Sequence, residues 1–295
     1  MKQKTNYPLC SRWIALAFGL LSGFLPSCAN LEAVREFAKT SAATADYQQI
    51  VTDYVGSPAR QKLYQPARFA STLDEITRAR TAQQARLEGA QTVLVQYMSA
   101  LGDLAADDLP VVDAELEGLS GALTDAKFIG EGDRAISTET ATAAGTIAKV
   151  LLRAAADHWR QRQIRTIVEQ TDASLQTVVK GLQTIVLKDF SLSLDQDSVA
   201  VEKYFGKIKA AAGTLSDPDA VQPLARVVEV DHMARIRARR VKLQTYAQVL
   251  DQIGKGHAEL RRNVGQLKGK ALSQRMKLYA QDLRKLYKAF AELQS

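Results

Sequence analysis

From residue 31 onward, apolar residues return every three or four positions, the spacing of one face of an α-helix, while the strict alternation of a strand is scarce. Good helix formers (Ala, Leu, Gln, Lys, Arg, Glu) fill the intervals. The pattern predicts a first helix from Leu31 to Val55, with Leu31, Val34, Ala38, Tyr47, Ile50 and Tyr54 inward and Gly56 ending it. A second helix is expected from Ser71 to Leu104, with Leu73, Ile76, Leu87, Leu94 and Leu101 on one side. A short acidic helix from Pro110 to Ala126 follows, and Gly130 and Gly132 open a loop.

The most regular stretch starts at Ile147 and continues through Leu151, His158, Ile164, Val168, Leu175, Leu182 and Ile185 at alternating three- and four-residue steps. Sustained heptads argue for coiled-coil-like packing. The chain is expected to turn between Gly213 and Pro223 and to return with Ile236, Leu243, Leu250, His257, Leu260 and Leu267. Near Gly265 to Gly269 the phase slips, then resumes as Leu272, Met276, Leu283 and Phe290, and such a slip permits a bend. The fold class that follows is all-α: an elongated helical bundle built on a long antiparallel coiled-coil-like hairpin. Its arms would be about 70 residues each. Folding about Pro218 brings Gly181 level with Gly254 and Gly256, so the arms are either continuous there or bent or broken at one shared height.

Ahead of this body the pattern changes. Lys2, Lys4 and Arg12 precede an apolar run from Trp13 to Leu25, the layout of an export signal. The run is shorter than the roughly 20 residues that a membrane span needs. It closes on Leu25, Pro26, Ser27, Cys28, which resembles the lipobox of bacterial lipoproteins, with Leu three residues before the cysteine and a small residue just before it; Pro26 departs from the pattern. The resemblance implies that residues 1–27 are a signal peptide that is removed, that Cys28 carries lipid, and that residues 28–30 are the lipidated N-terminus. Residues 31–137 would then form N-terminal helices with the acidic helix, and residues 138–295 the hairpin with a basic C-terminal arm. In that class an Asp after the cysteine signals retention in the inner membrane; Ala29 and Asn30 stand here instead, which implies the outer membrane, facing the periplasm. The alternatives are cleavage after Ala29 without lipid, or an uncleaved anchor. The two cysteines are Cys10 and Cys28, so an exported body would be held by packing alone.

Net charge is +7, unevenly spread. Residues 226–295 hold 16 Lys and Arg against 6 Asp and Glu, whereas 103–139 hold 10 acids against Lys127 and Arg134. Aromatic residues are not interleaved with the basic segment, so nucleic acid is not an expected partner. Arg235, Arg239 and Lys242, one stripe at i, i+4 and i+7, are the candidate for an anionic surface such as lipid head groups or wall polymer.

Candidate chemistry is sparse. His158, His232 and His257 have no metal-ligand spacing, and His158 and His257 fall on the seams, where they are expected to fix register. Gly-x-Ser-x-Gly, His-Glu-x-x-His and Ser-x-x-Lys are missing, and Gly265 to Ala271 falls one residue short of a phosphate loop and lacks its hydroxyl. Asp113 and Glu117 lie one turn apart on a helix surface that offers no cleft. The expected function is therefore a non-enzymatic, lipid-anchored periplasmic scaffold or docking protein of the bacterial envelope, with no metal or cofactor. The alternative is a membrane-perturbing protein resembling helical pore-forming toxins.

Overall fold

The structure is a computed structural model that describes residues 31–106, 137–156, 164–214 and 218–292. Among these, every regular element is helical: α1 Glu32–Ala45, α2 Gln49–Val55, α3 Ser57–Lys62, α4 Ala70–Ala105, α5 Thr138–Ala156, α6 Ile164–Thr184, α7 Ser191–Ala212, α8 Pro218–Arg262 and α9 Lys270–Glu292. The expected all-α bundle is what forms. Cys28, His158 and the acidic helix from Pro110 to Ala126 lie outside the described residues.

At 1.5 Å per residue α8, with 45 residues, is about 67 Å long and forms the spine. One arm of a hairpin, α6 and α7, runs antiparallel to it. Gln176 and Gln183 donate to the carbonyls of Gly254 and Ala247 at 2.9 and 3.0 Å. Nearer the turn, Arg240 meets Asp195 and Lys209 meets Glu229, both at 2.7 Å. The lower pairs mirror about residue 215 and the upper ones nearer Pro218, and between them a π-helical turn, Ile185–Phe190, joins α6 to α7. Gly181 therefore faces Thr140 of α5 rather than Gly254. Of the two possibilities, α8 runs unbroken through Gly254 and Gly256, and the other arm is perturbed, at the π turn. Pro223 also belongs to α8 rather than to the connection, as its sixth residue, where a lost backbone donor is near the end of the ladder.

Three other expectations need correction. The first helix stops at Ala45, because the Ala45 carbonyl accepts from Gln91 Nε2 at 3.0 Å and from the Tyr246 hydroxyl at 3.2 Å; these bonds cap a helix end that the chain alone would extend. The seam from Ile147 to Ile185 spans two helices, α5 and α6, packed antiparallel with Thr140 against Gly181. The slip after Val264 is a reversal: a 3-10 turn, Val264–Gln266, sends α9 back beside α1 and α8. Buried Glu259 holds this corner, taking bonds from Arg262, Asn263 and Arg275, so the basic C-terminal segment is two helices and two of its arginines, both largely exposed, are paired with one carboxylate. The hairpin arms are accordingly shorter, ending at Ile164 and Arg262.

The core lies at the base of the hairpin, where α1 and α4 meet α6, α8 and α9. Phe37, Leu94, Tyr97, Met98, Leu101, Ile167 and Tyr246 are fully buried there. Gly256 lets α1 approach: a Cβ there would overlap the Phe37 ring, which also lies edge-on to Tyr279. Successive contacts of the N-terminal segment climb α8 from this end toward the turn: Phe37 at Gly256, Tyr47 at Tyr246, Asp53 at Arg239, Tyr64 at His232. Among the described residues no helix is long and apolar enough to cross a membrane.

Candidate functional site

Two of the polar constellations among the described residues differ in access. The deeper one starts from His257, which the heptads place on the seam of α8. His257 Nδ1 lies 2.8 Å from Asp172, and its Nε2 lies 2.6 Å from the Tyr97 hydroxyl, which reaches Thr171 at 2.7 Å. Tyr97, Thr171 and His257 are each 0% exposed, so no substrate reaches them. The hydrogen bond to His257 holds the Asp172 carboxyl below its ordinary range, and burial pushes the Tyr97 hydroxyl far up. A satisfied network of this kind locks α4, α6 and α8 in one register.

The second constellation is open. A cleft of about 190 Å³ lies between α3, the residues just after it, α7 and α8. Its floor is Asp197 of α7, which is buried and accepts from Ser57 at 2.7 Å and Gln61 at 2.8 Å. Behind it the donors run in relay, Arg80 to Ser193 at 2.9 Å and Ser193 to Ser57 at 2.7 Å, so hydroxyls from two helices point toward one carboxylate. Arg60 adds a longer contact to Asp197, 3.4 Å, and donates to the Asp53 carbonyl at 2.7 Å. One wall carries Tyr64, whose hydroxyl lies 3.1 Å from His232 Nδ1 and whose ring packs edge-on to Tyr204. Leu63, Val201 and Ile236 complete the apolar lining.

The basic stripe meets this cleft. Arg235, 63% exposed, stands at the rim and pairs with Asp231 at 2.8 Å. Arg239, 29% exposed, is recessed and reaches Asp53 at only 3.7 Å. Burial, followed by repulsion from Arg60, holds its guanidinium below the ordinary arginine value. Lys242 lies further down, half-buried, beside a narrow crevice shared with Tyr54 and Asp53. The three cations thus do not form the open, flat stripe that their spacing predicts: two converge on a cleft and the third points past it. Arg60, Tyr64, Asp197 and His232 were not apparent as partners, because no local motif links them.

Among the described residues no group of three or more His, Cys, Asp or Glu side chains is placed to hold a metal ion. No protein-family model, curated protein sequence or solved structure matches this chain.

Proposed function

We propose that the protein is a lipid-anchored helical spacer of the bacterial envelope, tethered through Cys28 and presenting the turn of its α7/α8 hairpin to a partner protein. What supports this most is polarity of form. Leu31, three residues after Cys28, begins α1 at the end of α8 remote from the turn, as the contacts climbing from Gly256 to His232 require. A chain anchored at Cys28 would hold the turn about 65 Å from its tether, at 1.5 Å per residue along α8. Near the turn, α8 exposes Leu224, Val227 and Val230. Exposed apolar side chains at one pole suit a protein partner better than a polyanionic polymer. The outer-membrane, periplasm-facing location rests on Ala29 and Asn30 after the cysteine.

Two measurements test the proposal. Radiolabelled palmitate is expected to enter the wild type and not Cys28→Ser, while the two share one far-ultraviolet circular dichroism spectrum. A photo-crosslinker placed at Val227 in living cells is expected to capture an envelope protein that the same probe at Glu75, on the exposed side of α4, does not. Equal labelling of both chains, or equal capture at both positions, would overturn it. Dye leakage from liposomes on adding the full chain would favour the membrane-perturbing alternative.

A further inference from the structure

We infer that the cleft between α3, α7 and α8 binds a small organic oxyanion, a carboxylate or phosphate on a compact apolar body, gripped by Arg60 and Arg239 with Arg235 at the mouth. The inference is independent of lipid attachment and of what the hairpin docks against.

Charge and hydrogen bonding carry it together. The charged or titratable groups lining the cleft are Arg60 from α3, Tyr64 just after it, Asp197 from α7, and His232, Arg235 and Arg239 from α8. Asp197 is largely satisfied by Ser57 and Gln61, so Arg60 is its longest partner at 3.4 Å, and Asp53 holds Arg239 at 3.7 Å, beyond hydrogen-bond reach. Each guanidinium offers five donors in a planar fork, which matches carboxylate and phosphate oxygens. The Nε of Arg60 is buried without a hydrogen-bond partner, an expensive state for a charged group. An oxyanion between Arg60 and Arg239 supplies acceptors to their outer guanidinium nitrogens and offsets the repulsion from Arg60 that, after burial, holds Arg239 low.

The remaining lining selects the ligand's body. Leu63, Val201 and Ile236 present apolar surface, and Tyr64 and His232 add two rings in edge contact. At about 190 Å³ the cleft is smaller than the roughly 300–1,000 Å³ that hold drug-sized ligands. A polyanionic surface fits poorly, because Arg239 is recessed and Arg235 alone of the pair stands clear.

The three histidines make the test direct. In full-length protein held in nonionic detergent, the three ring signals are resolved by NMR and assigned with His232→Gln and His158→Gln, leaving the third to His257. Benzoate and phenyl phosphate serve as probes, with benzyl alcohol and benzylammonium as neutral and cationic controls. A saturable shift of His232 is expected with one or both anions, with buried His257 unmoved, and the tighter of the two identifies the head group. Arg239→Gln should weaken the anion about tenfold, the loss of a hydrogen bond between charged partners. Arg235→Ala, at an exposed rim where folding is not at stake, should weaken it by a smaller factor and reduce its salt dependence. The inference fails if the neutral or cationic probe binds as well as the anions, if neither anion moves His232, or if folded Arg239→Gln binds like wild type. Should Arg239→Gln not fold, unchanged affinity in Arg235→Ala overturns it instead.

Discussion

Two glycines in the hairpin should respond to the same substitution with opposite sign. Gly206 lies exposed in α7, and a Cβ built there meets nothing within 4 Å. Replacing it with Ala removes backbone freedom from the unfolded chain and should stabilise the protein by up to about 1 kcal/mol. Gly256 in α8 enjoys the same propensity gain, but its new methyl overlaps the Phe37 ring, which is 0% exposed and pinned against Tyr279. Overpacking of a closed core costs about 1–3 kcal/mol, and more where the neighbour cannot turn aside. Gly256→Ala should therefore be destabilising by up to about 2 kcal/mol after the propensity gain is subtracted, and by more if the ring cannot turn aside. Urea unfolding followed by circular dichroism measures both. A cycle with Phe37→Leu, which removes the ring, should show a favourable coupling of about 1 kcal/mol or more. If Gly256→Ala stabilises as Gly206→Ala does, α1 is not seated on α8 in the way described, and the placement of Leu31 at that pole falls with it.

The remaining expectations concern the polar networks. Asp197→Ala strands the donors of Ser57, Gln61 and Arg60 in a buried site and should lower unfolding stability by about 3–5 kcal/mol, with Asp197→Asn losing less. Tyr97→Phe deletes the hydroxyl between His257 and Thr171 and should lose about 1–3 kcal/mol without changing secondary structure, read by thermal melting. Asp172 is held below its unfolded value by His257, so its contribution is fully present above about pH 4 and is lost as pH falls through the folded value. Asp172→Asn should accordingly flatten the fall of stability below about pH 4, and an unchanged slope would show that the Asp172 carboxyl is not held low in the folded protein.

Periodicity served well where a helix is set by its own face. The second helix, expected from Ser71 to Leu104, differs by one residue at each end from Ala70–Ala105. It failed where distant residues decide. Nothing near Ala45 announces that Gln91 and Tyr246, 46 and 201 residues away, will take its carbonyl and stop the helix. Heptads also carried the pattern from α5 into α6 without a signal, since two antiparallel helices facing one core keep the same apolar rhythm. His257 was legible as a register residue because it sits on the seam. The cleft was half legible: Arg235 and Arg239 share a helical face, but Arg60, Arg239's neighbour across it, meets Asp197 from 137 residues away. Topology, which no local spacing encodes, brings those walls together.

The π turn at Ile185–Phe190 gives the molecule a built-in place for slack. A π-helical turn holds one residue more than the α-helical turn that it replaces. Below it the arms are locked by the shared core of α1, α4 and α9; above it they index against each other in a shifted frame, the mirror point having moved toward Pro218. Insertions or deletions in the outer hairpin can thus be absorbed at one site without rewriting the base. Descendants of such a chain could lengthen or shorten their reach step by step while inheriting the same foundation.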